Sequence, residues 1–388
     1  MSRTKSVNIH AEMAAATTWT LALAMSLYCY LLFPLILGLL ARLKGKRFAS
    51  TRRYEPSATL LISAYNEIKV IEQKLENSLA LDYPPDKLQI IVINDGSSDG
   101  TDEIVERYVP RGIIHNRVDG RGGKNVAINE TWPFVTGEAV VFSDANSMYE
   151  QDAIKKLMAH FADERVGCVC GELRYINAET GSALGETLYW RYEQYLKKLQ
   201  SRLGEVLVLN GSIFAVRRDL FSPLEPKIAN DFQIPIAVAN QRKAIVYEPQ
   251  AVAVEKVAAR ARDEFGRKAR IVARGFEGFF RYYREFRGFR LFQFISQKFL
   301  RWNVWAAMLV LFVSNLFLLE YTFFRWVFAA QLVFYGLACA GPLLNRIRIP
   351  GLAIPFYFCF INLAAFVGFW RFLTRKQKAS WEPPQSAR

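Results

Sequence analysis

Histidine and cysteine are both scarce in this chain, at 3 and 5 of 388 residues. They do not form the paired sets that close a zinc site or a disulfide framework. Cys168 and Cys170 lie two apart in Val166-Gly-Cys-Val-Cys-Gly171, a spacing that puts both on one face of a strand, and no second Cys/His pair completes a metal set. Cys29, Cys339 and Cys359 sit in apolar runs. Acidic residues are also short: 36 Asp and Glu against 50 Lys and Arg leave a net charge of +14. That balance suits an anionic partner, whether nucleic acid, lipid or substrate. No internal repeat or low-complexity segment interrupts the chain. What is abundant is apolar: 52% of residues are hydrophobic and 29 are Phe. The bases cluster beside apolar runs, which favours a membrane surface over nucleic acid.

Trp19 to Ala41 is uncharged for 23 residues, long enough to cross a bilayer. Arg42, Lys44, Lys46, Arg47, Arg52 and Arg53 follow it, with no small-residue cleavage site, so residues 1–54 read as a retained anchor and basic linker. The positive-inside rule keeps this cluster in the cytoplasm. Residues 260–302 interleave bases with aromatics, and spanning segments follow at once. Amphipathic helices in the bilayer interface therefore fit better than a platform for single-stranded nucleic acid. Residues 303–388 hold three apolar segments, about Val304–Leu319, Trp326–Leu344 and Leu352–Leu373. If all three span, Arg375, Lys376 and Lys378 fall outside, against the charge rule; Pro350, Gly351 and Pro355 make the last segment the expected re-entrant one. The absence of a cleavable signal and the acidic, metal-like edge point to an integral protein of a bacterial inner membrane with its soluble domain in the cytoplasm, a eukaryotic internal membrane being the alternative.

Residues 55–259 alternate strand and helix. Thr59–Ala64, Leu88–Asn94 and Glu138–Phe142 read as strands, Val70–Leu79 and Gln151–Phe161 as helices, and Ala244–Tyr247 and Ala251–Val254 as late strands. Such a series implies an α/β fold with a mostly parallel sheet. The run Ile90-Ile-Val-Ile-Asn94 ends at Asp95 in an acidic, glycine-rich turn. Open α/β sheets bind ligands at that carboxyl edge. Three more clusters end apolar runs: Asn66-Glu67, Asp144-Ala-Asn146 and Asn230-Asp231. Asp144 and Asn146 offer hard oxygens suited to Mg2+ or Mn2+ carrying a diphosphate. Arg117-Val-Asp119-Gly-Arg-Gly-Gly-Lys124-Asn125 is a basic glycine-rich loop that could serve phosphates; a plain surface turn reads as well.

These pieces together resemble the family-2 glycosyltransferases, membrane-associated enzymes of GT-A fold that use nucleotide-sugars. The resemblance spans roughly residues 55–302. It rests on Ile62-Ser-Ala-Tyr-Asn-Glu67, Asp95-Gly-Ser-Ser-Asp-Gly-Thr101, Gly123-Lys-Asn-Val-Ala-Ile-Asn129, Ser143-Asp-Ala-Asn-Ser147, Asn210-Gly-Ser-Ile-Phe-Ala-Val-Arg217 and Ile228-Ala-Asn-Asp-Phe232, in the family's order. It implies that Tyr65, Glu67 and Asp95 hold the base and ribose, and that Lys124 approaches the diphosphate. It implies further that Asp144 and Asn146 occupy the DxD position, with an amide as second member, and that Asp231 is the general base of an inverting transfer. The structural alternative for Asp231 is a helix N-cap. The Gln-x-x-Arg-Trp motif of processive members is replaced by Arg267-Lys-Ala-Arg270-Ile-Val, and Gln297-Lys-Phe-Leu-Arg301-Trp302 has one residue too many. Arg267 and Arg270 read equally as diphosphate partners and as solvated interface bases.

The expected partners are a nucleotide-sugar, a UDP-sugar first, a lipid-linked or glycan acceptor and membrane lipids, with no nucleic acid. Four candidate spans line at most a narrow channel, so a polymer channel would call for a homo-oligomer. A non-catalytic nucleotide-sugar sensor and a processive polysaccharide synthase are the competing readings; a transporter has too few spans.

Overall fold

The computed structural model describes residues 2–118, 120–176, 183–256, 261–344 and 353–375. Asp119, the Asn345–Gly351 linker, Lys376 and Lys378, all used in the sequence reading, lie outside the described residues.

The strands are β1 (Ala58–Ala64), β2 (Leu88–Asn94), β3 (Ile113–Arg117), β4 (Ala139–Asp144), β5 (Met148–Tyr149), β6 (Val166–Ile176), β7 (Ile213–Arg217) and β8 (Ala244–Lys256). They form one sheet in the order β3-β2-β1-β4-β7-β6-β8-β5. β1 pairs parallel with β2 and β4, β2 with β3, and β6 with β8, while β7 runs antiparallel to both β4 and β6. The mostly parallel α/β reading therefore holds. The two late strands expected at Ala244–Tyr247 and Ala251–Val254 are one long strand, carried through a register shift opposite Cys170 and Glu172 of β6.

β1 and β2 read as unbroken apolar runs because the sheet is covered on both faces. Leu60, Ile62, Ile90 and Val92 point to one face, where Ile71, Leu75, Val105 and Leu157 meet them. Leu61, Ile91 and Ile93 point to the other, against Ala127, Ile128, Ile234 and Val238. The covering helices on the first face are α3 (Ile71–Leu79), α4 (Thr101–Glu106) and α6 (Ala153–Met158), as labelled after α1 (Ser2–Leu27) and α2 (Phe33–Lys44). α5 (Lys124–Thr131) and α8 (Asn230–Asn240) cover the second, and α7 (Ala183–Leu203) lies between them in the chain.

α9 (Ala261–Tyr282) leaves this domain and runs along α14 (Ala353–Leu373), the last helix. Between them in sequence come α10 (Gly288–Phe294), a π turn over Ile295–Phe299, α11 (Leu300–Trp302), α12 (Val304–Leu316) and α13 (Thr322–Leu344). Among the described residues, three helical stretches are long and apolar enough to cross a membrane: His10–Lys44, Thr322–Gly341 and Ile354–Leu373. The first runs well beyond the expected Trp19–Ala41 at both ends. α12, at 13 residues, spans only about 20 Å and falls short of a bilayer core. It qualifies only together with Gly288–Trp302, from which it is bent by 55°. The broken segment is thus the first of the C-terminal three. The last, which its prolines had marked for interruption, is an unbroken helix because Pro355 falls in its first turn, where no hydrogen bond is lost.

The seam between α9 and α14 is made close by Gly368, where an added Cβ would lie 2.5 Å from the Ala269 carbonyl oxygen. Phe276 of α9, fully buried, contacts Trp302, Phe369 and Phe372 there. Gly368→Leu should therefore lower stability by about 1–3 kcal/mol. It should also cut function disproportionately, since it moves α9; thermal unfolding and nucleotide binding in lipid would separate the two effects.

Candidate active site

Asp95 stands where β2 ends, in a turn that needs glycine. Gly96 has φ +71, and a Cβ there would lie 2.5 Å from the Gly120 carbonyl oxygen. This close approach folds the Arg121–Lys124 loop onto the strand end, and the Asp95 Oδ1 accepts the Gly123 N–H at 3.0 Å. Burial pushes the Asp95 carboxyl above its ordinary range, while the Gly123 and Gly122 amides and Arg121 pull it back. The Arg121 guanidinium lies over the Tyr65 ring at 4.1 Å. Between them Asn66 adopts a left-handed φ of 51°, and its side chain is tied to the Ser98 amide at 2.9 Å. The buried Glu67 is anchored through its N–H to Thr101 Oγ1 at 2.9 Å. Tyr65, Glu67 and Asp95 thus share one corner of a cavity of about 510 Å3.

Asp144 and Asn146 line the same cavity. Lys124, first residue of α5, bonds Asp144 Oδ1 at 2.5 Å, and Ser212 Oγ donates to Asp144 Oδ2 at 3.2 Å. The basic glycine-rich loop is accordingly part of the site and no plain surface turn. Ser212 belongs to the turn before β7, and its neighbour Gly211 leaves room for Asp231: an added Cβ would sit 3.3 Å from Asp231 Oδ2. Asp231 is no N-cap. It lies in the first turn of α8, whose N-cap is Ala229 with no side-chain cap bond, and an acid is favoured there by the helix dipole. Burial pushes its carboxyl up, against the pull of Lys124 and with a further push from Asp144.

The far wall is α9. Arg267, Arg270, Arg274 and Gly275 all face the cavity, so the bases expected in the bilayer interface include three that belong to the site. Arg267 is held by Glu264 at 2.7 Å and by the Tyr175 hydroxyl at 2.9 Å. Burial, then Arg274 and Arg267, push Arg270 down to about 9, while Asp144 and Asp231 pull it up. A guanidinium remains protonated under that load, so this wall presents positive charge to the cavity.

α7 was not foreseen from the sequence, and it supplies Glu193 and Lys197 to the wall. Its 3.6-residue periodicity in Leu196, Leu199 and Leu203 was the available signal. Lys197 donates to Asn210, which places a further cation near Asp231. Gln297, Lys298 and Trp302 also line the cavity. The π turn over Ile295–Phe299 takes up one more residue than an α turn. That extra residue falls within Gln297-Lys-Phe-Leu-Arg301-Trp302, of which Gln297, Lys298 and Trp302 reach the cavity before the chain enters α12. Arg301 pairs with the buried Glu193 behind it.

Among the described residues no three His, Cys, Asp or Glu side chains gather to hold a metal. The donor set suits an open site all the same: Asp144 and Asn146 would offer a divalent cation two hard oxygens from one turn and leave the rest of its shell to other oxygen ligands.

Comparison with known proteins agrees with this geometry. The sequence pattern of glycosyl transferase family 2 matches residues 59–224. The probable glycosyltransferase YdaM of Bacillus subtilis is 30% identical over 287 residues, covering 68% of this chain and 67% of that one. This chain belongs to glycosyl transferase family 2. The β-monoglucosyldiacylglycerol synthase of Trichormus variabilis is 27% identical over 186 residues, and this chain spans only 40% of its length. The mannosyltransferase PcManGT of Pyrobaculum calidifontis, solved with GDP-Man and Mn2+, superposes with a TM-score of 0.70 at 23% identity. The match covers 92% of this chain and 99% of that one, and it establishes the shared GT-A fold. For this family 2 member, Arg270→Met should weaken nucleoside-diphosphate binding by about tenfold to a hundredfold, the loss of one charge-assisted contact. Titration calorimetry with UDP and GDP would read it.

Proposed function

We propose that this protein is a membrane-bound, inverting glycosyltransferase that moves a sugar from a nucleotide-sugar, a UDP-sugar first, to a lipid-linked or glycan acceptor. The observation that carries the reading is the cavity itself. It joins the Asp95–Lys124 corner, the Asp144 turn, Asp231 and the α9 arginines, and it reaches Gln297, Lys298 and Trp302 in Gly288–Trp302, the segment that attains spanning length only together with α12. An acceptor with an apolar tail would reach Asp231 from that end. The name of the Trichormus relative supports a glycolipid acceptor. The protein would sit in a bacterial inner membrane with the sheet domain in the cytoplasm.

In this mechanism Tyr65, Glu67 and Asp95 bind the base and ribose. Lys124 and Arg270 hold the diphosphate, and Arg267 braces the same wall through Glu264. Asp231 takes the proton from an acceptor hydroxyl as its oxygen bonds to the anomeric carbon in line with the departing phosphate oxygen. The carbon–oxygen bond to the diphosphate breaks, its electron pair leaves with the phosphate, and the single displacement inverts the anomeric centre. Mg2+ or Mn2+ held between Asp144, Asn146 and the diphosphate would supply further charge to the leaving group. A processive synthase remains the second reading, favoured by Gln297 and Trp302 in the cavity wall. Product length decides between the two.

Asp144→Ala should lose donor binding. Asp231→Asn should keep donor binding and lose transfer by about a thousandfold, the scale of removing a general base. Transfer assays across a panel of UDP- and GDP-sugars in lipid would check both. A donor that binds without any turnover, with Asp231→Asn equal to the parent, would sink the enzyme reading in favour of a sensor.

The pH profile adds a third check. The base must be ionised, and burial raises the Asp231 pKa. Transfer should therefore fall on the acid side at a pH above the ordinary aspartate range, while donor binding persists there. A kcat profile with no acid limb above that range would contradict the assignment.

A further inference from the structure

Lys74 is fully buried, at 0% exposure, and none of the chemistry above uses it. It lies on the first turn of α3, the helix that starts from the Glu67 carbonyl through the Val70 and Ile71 amides. Its ammonium donates to the Ser147 carbonyl at 2.5 Å and lies 4.1 Å from the Tyr149 ring. The same helix fixes Tyr149 a second time. Asn77 Nδ2 donates to the Tyr149 carbonyl at 2.9 Å, and Asn77 Oδ1 accepts the Tyr149 N–H at 2.8 Å. Tyr149 in turn donates its hydroxyl to the Phe142 and Ser212 carbonyls at 3.0 and 2.9 Å. The Ser147 hydroxyl donates to Glu255 at 2.5 Å. Asp144 and Asn146 lie between these fixed points, on a turn closed by the Ser147 N–H on the Asp144 carbonyl at 3.2 Å.

Among the described residues a carbonyl is the one group at bonding distance, and burying an ammonium so sparsely bonded costs stability unless nearby carboxylates offset it. Asp144 and Glu255 supply that field, and burial still pushes Lys74 down to about 7. A packed apolar side chain would hold α3 to the sheet at less cost. What it could not do is bind the carbonyl that follows Asn146.

We propose that Lys74 is a positioning residue for the cation end of the site, holding the Asp144–Ser147 turn so that Asp144 and the weaker amide ligand Asn146 present both oxygens together. This rests on the reading that the turn faces a diphosphate-bound cation. It also links the two halves of the donor site: one helix starts at the nucleotide turn and braces the metal turn.

The test uses the full chain in lipid, with Mn2+ binding read by electron paramagnetic resonance in the presence of UDP and, in parallel, GDP. Lys74→Met should weaken Mn2+ binding about tenfold, the usual scale for losing an outer partner of a metal ligand. Nucleotide binding without metal should stay within about twofold, since Lys74 does not reach the nucleotide corner. The Tm should stay level or rise, because a buried charge is replaced by an apolar chain of similar size. Mn2+ binding that is unchanged or tighter overturns the inference, the latter by making Lys74 only a competing cation. A fall in Tm alongside the metal loss overturns it too, by making Lys74 a residue of the fold. If Lys74→Met does not fold, Lys74→Gln is read by the same criteria, and failure of both to fold counts against it. A parent that binds no Mn2+ with either nucleotide overturns the cation reading itself, whatever the variants do.

Discussion

Carboxylates at the end of a buried sheet face guanidinium groups on a helix that is not part of that sheet's covering layers, and the site exists because the two are held together. Neither side is comfortable alone. Asp231 and Asp95 are pushed up by burial, and Arg270 and Arg274 are pushed down by it. Lys124, Lys197 and Arg274 favour the ionised form of the Asp231 carboxyl against its burial, and the guanidinium groups stay protonated throughout. Under the proposed function, a diphosphate with its cation would bring both signs of charge to the places where each is in excess.

The holding is done by apolar contact. α9 carries its arginines on one face and Val272, Phe276 and Phe279 on the others, and these bury against α14, Trp302, Phe232 and Phe294. A helix too polar to lie in hydrocarbon is thus tied to one that is apolar over most of its length. The seam at Gly368 and the contact of Gly275 with Trp302 bring the backbones close enough for the arginines to reach the sheet edge. The apolar helix α14 therefore acts on the cavity from behind: it holds α9, and α9 supplies the wall.

Much of this was legible in the residues. The β2 boundaries agree residue for residue, because Leu88–Asn94 is an apolar run stopped by an acidic turn. Tyr65, Glu67, Asp95, Lys124, Asp144, Asn146, Asp231, Arg267 and Arg270 all line one cavity. β7, with Ile213-Phe-Ala-Val-Arg217, was seen only as part of a motif, since a five-residue strand buried on both faces carries no alternation. α7 went unread although it brings Glu193 and Lys197 to the wall. Its charged residues are spread along a helix that is amphipathic on more than one side, and only its neighbours show which side is buried.

What the sequence determined by itself was the carboxyl edge of the sheet. Residues that end strands and make tight turns act within a few positions of themselves, so local chemistry is enough to place Asp95 and the Asp144 turn. The tertiary structure alone decided the rest: which helix closes the cavity, that a π turn brings Gln297 and Trp302 into it, that the broken apolar segment is α12, and that Lys74 lies beneath the Asp144 turn. Each of these depends on contacts between residues far apart in the chain. Their free energy comes from burial against a partner surface, and no local pattern specifies that partner.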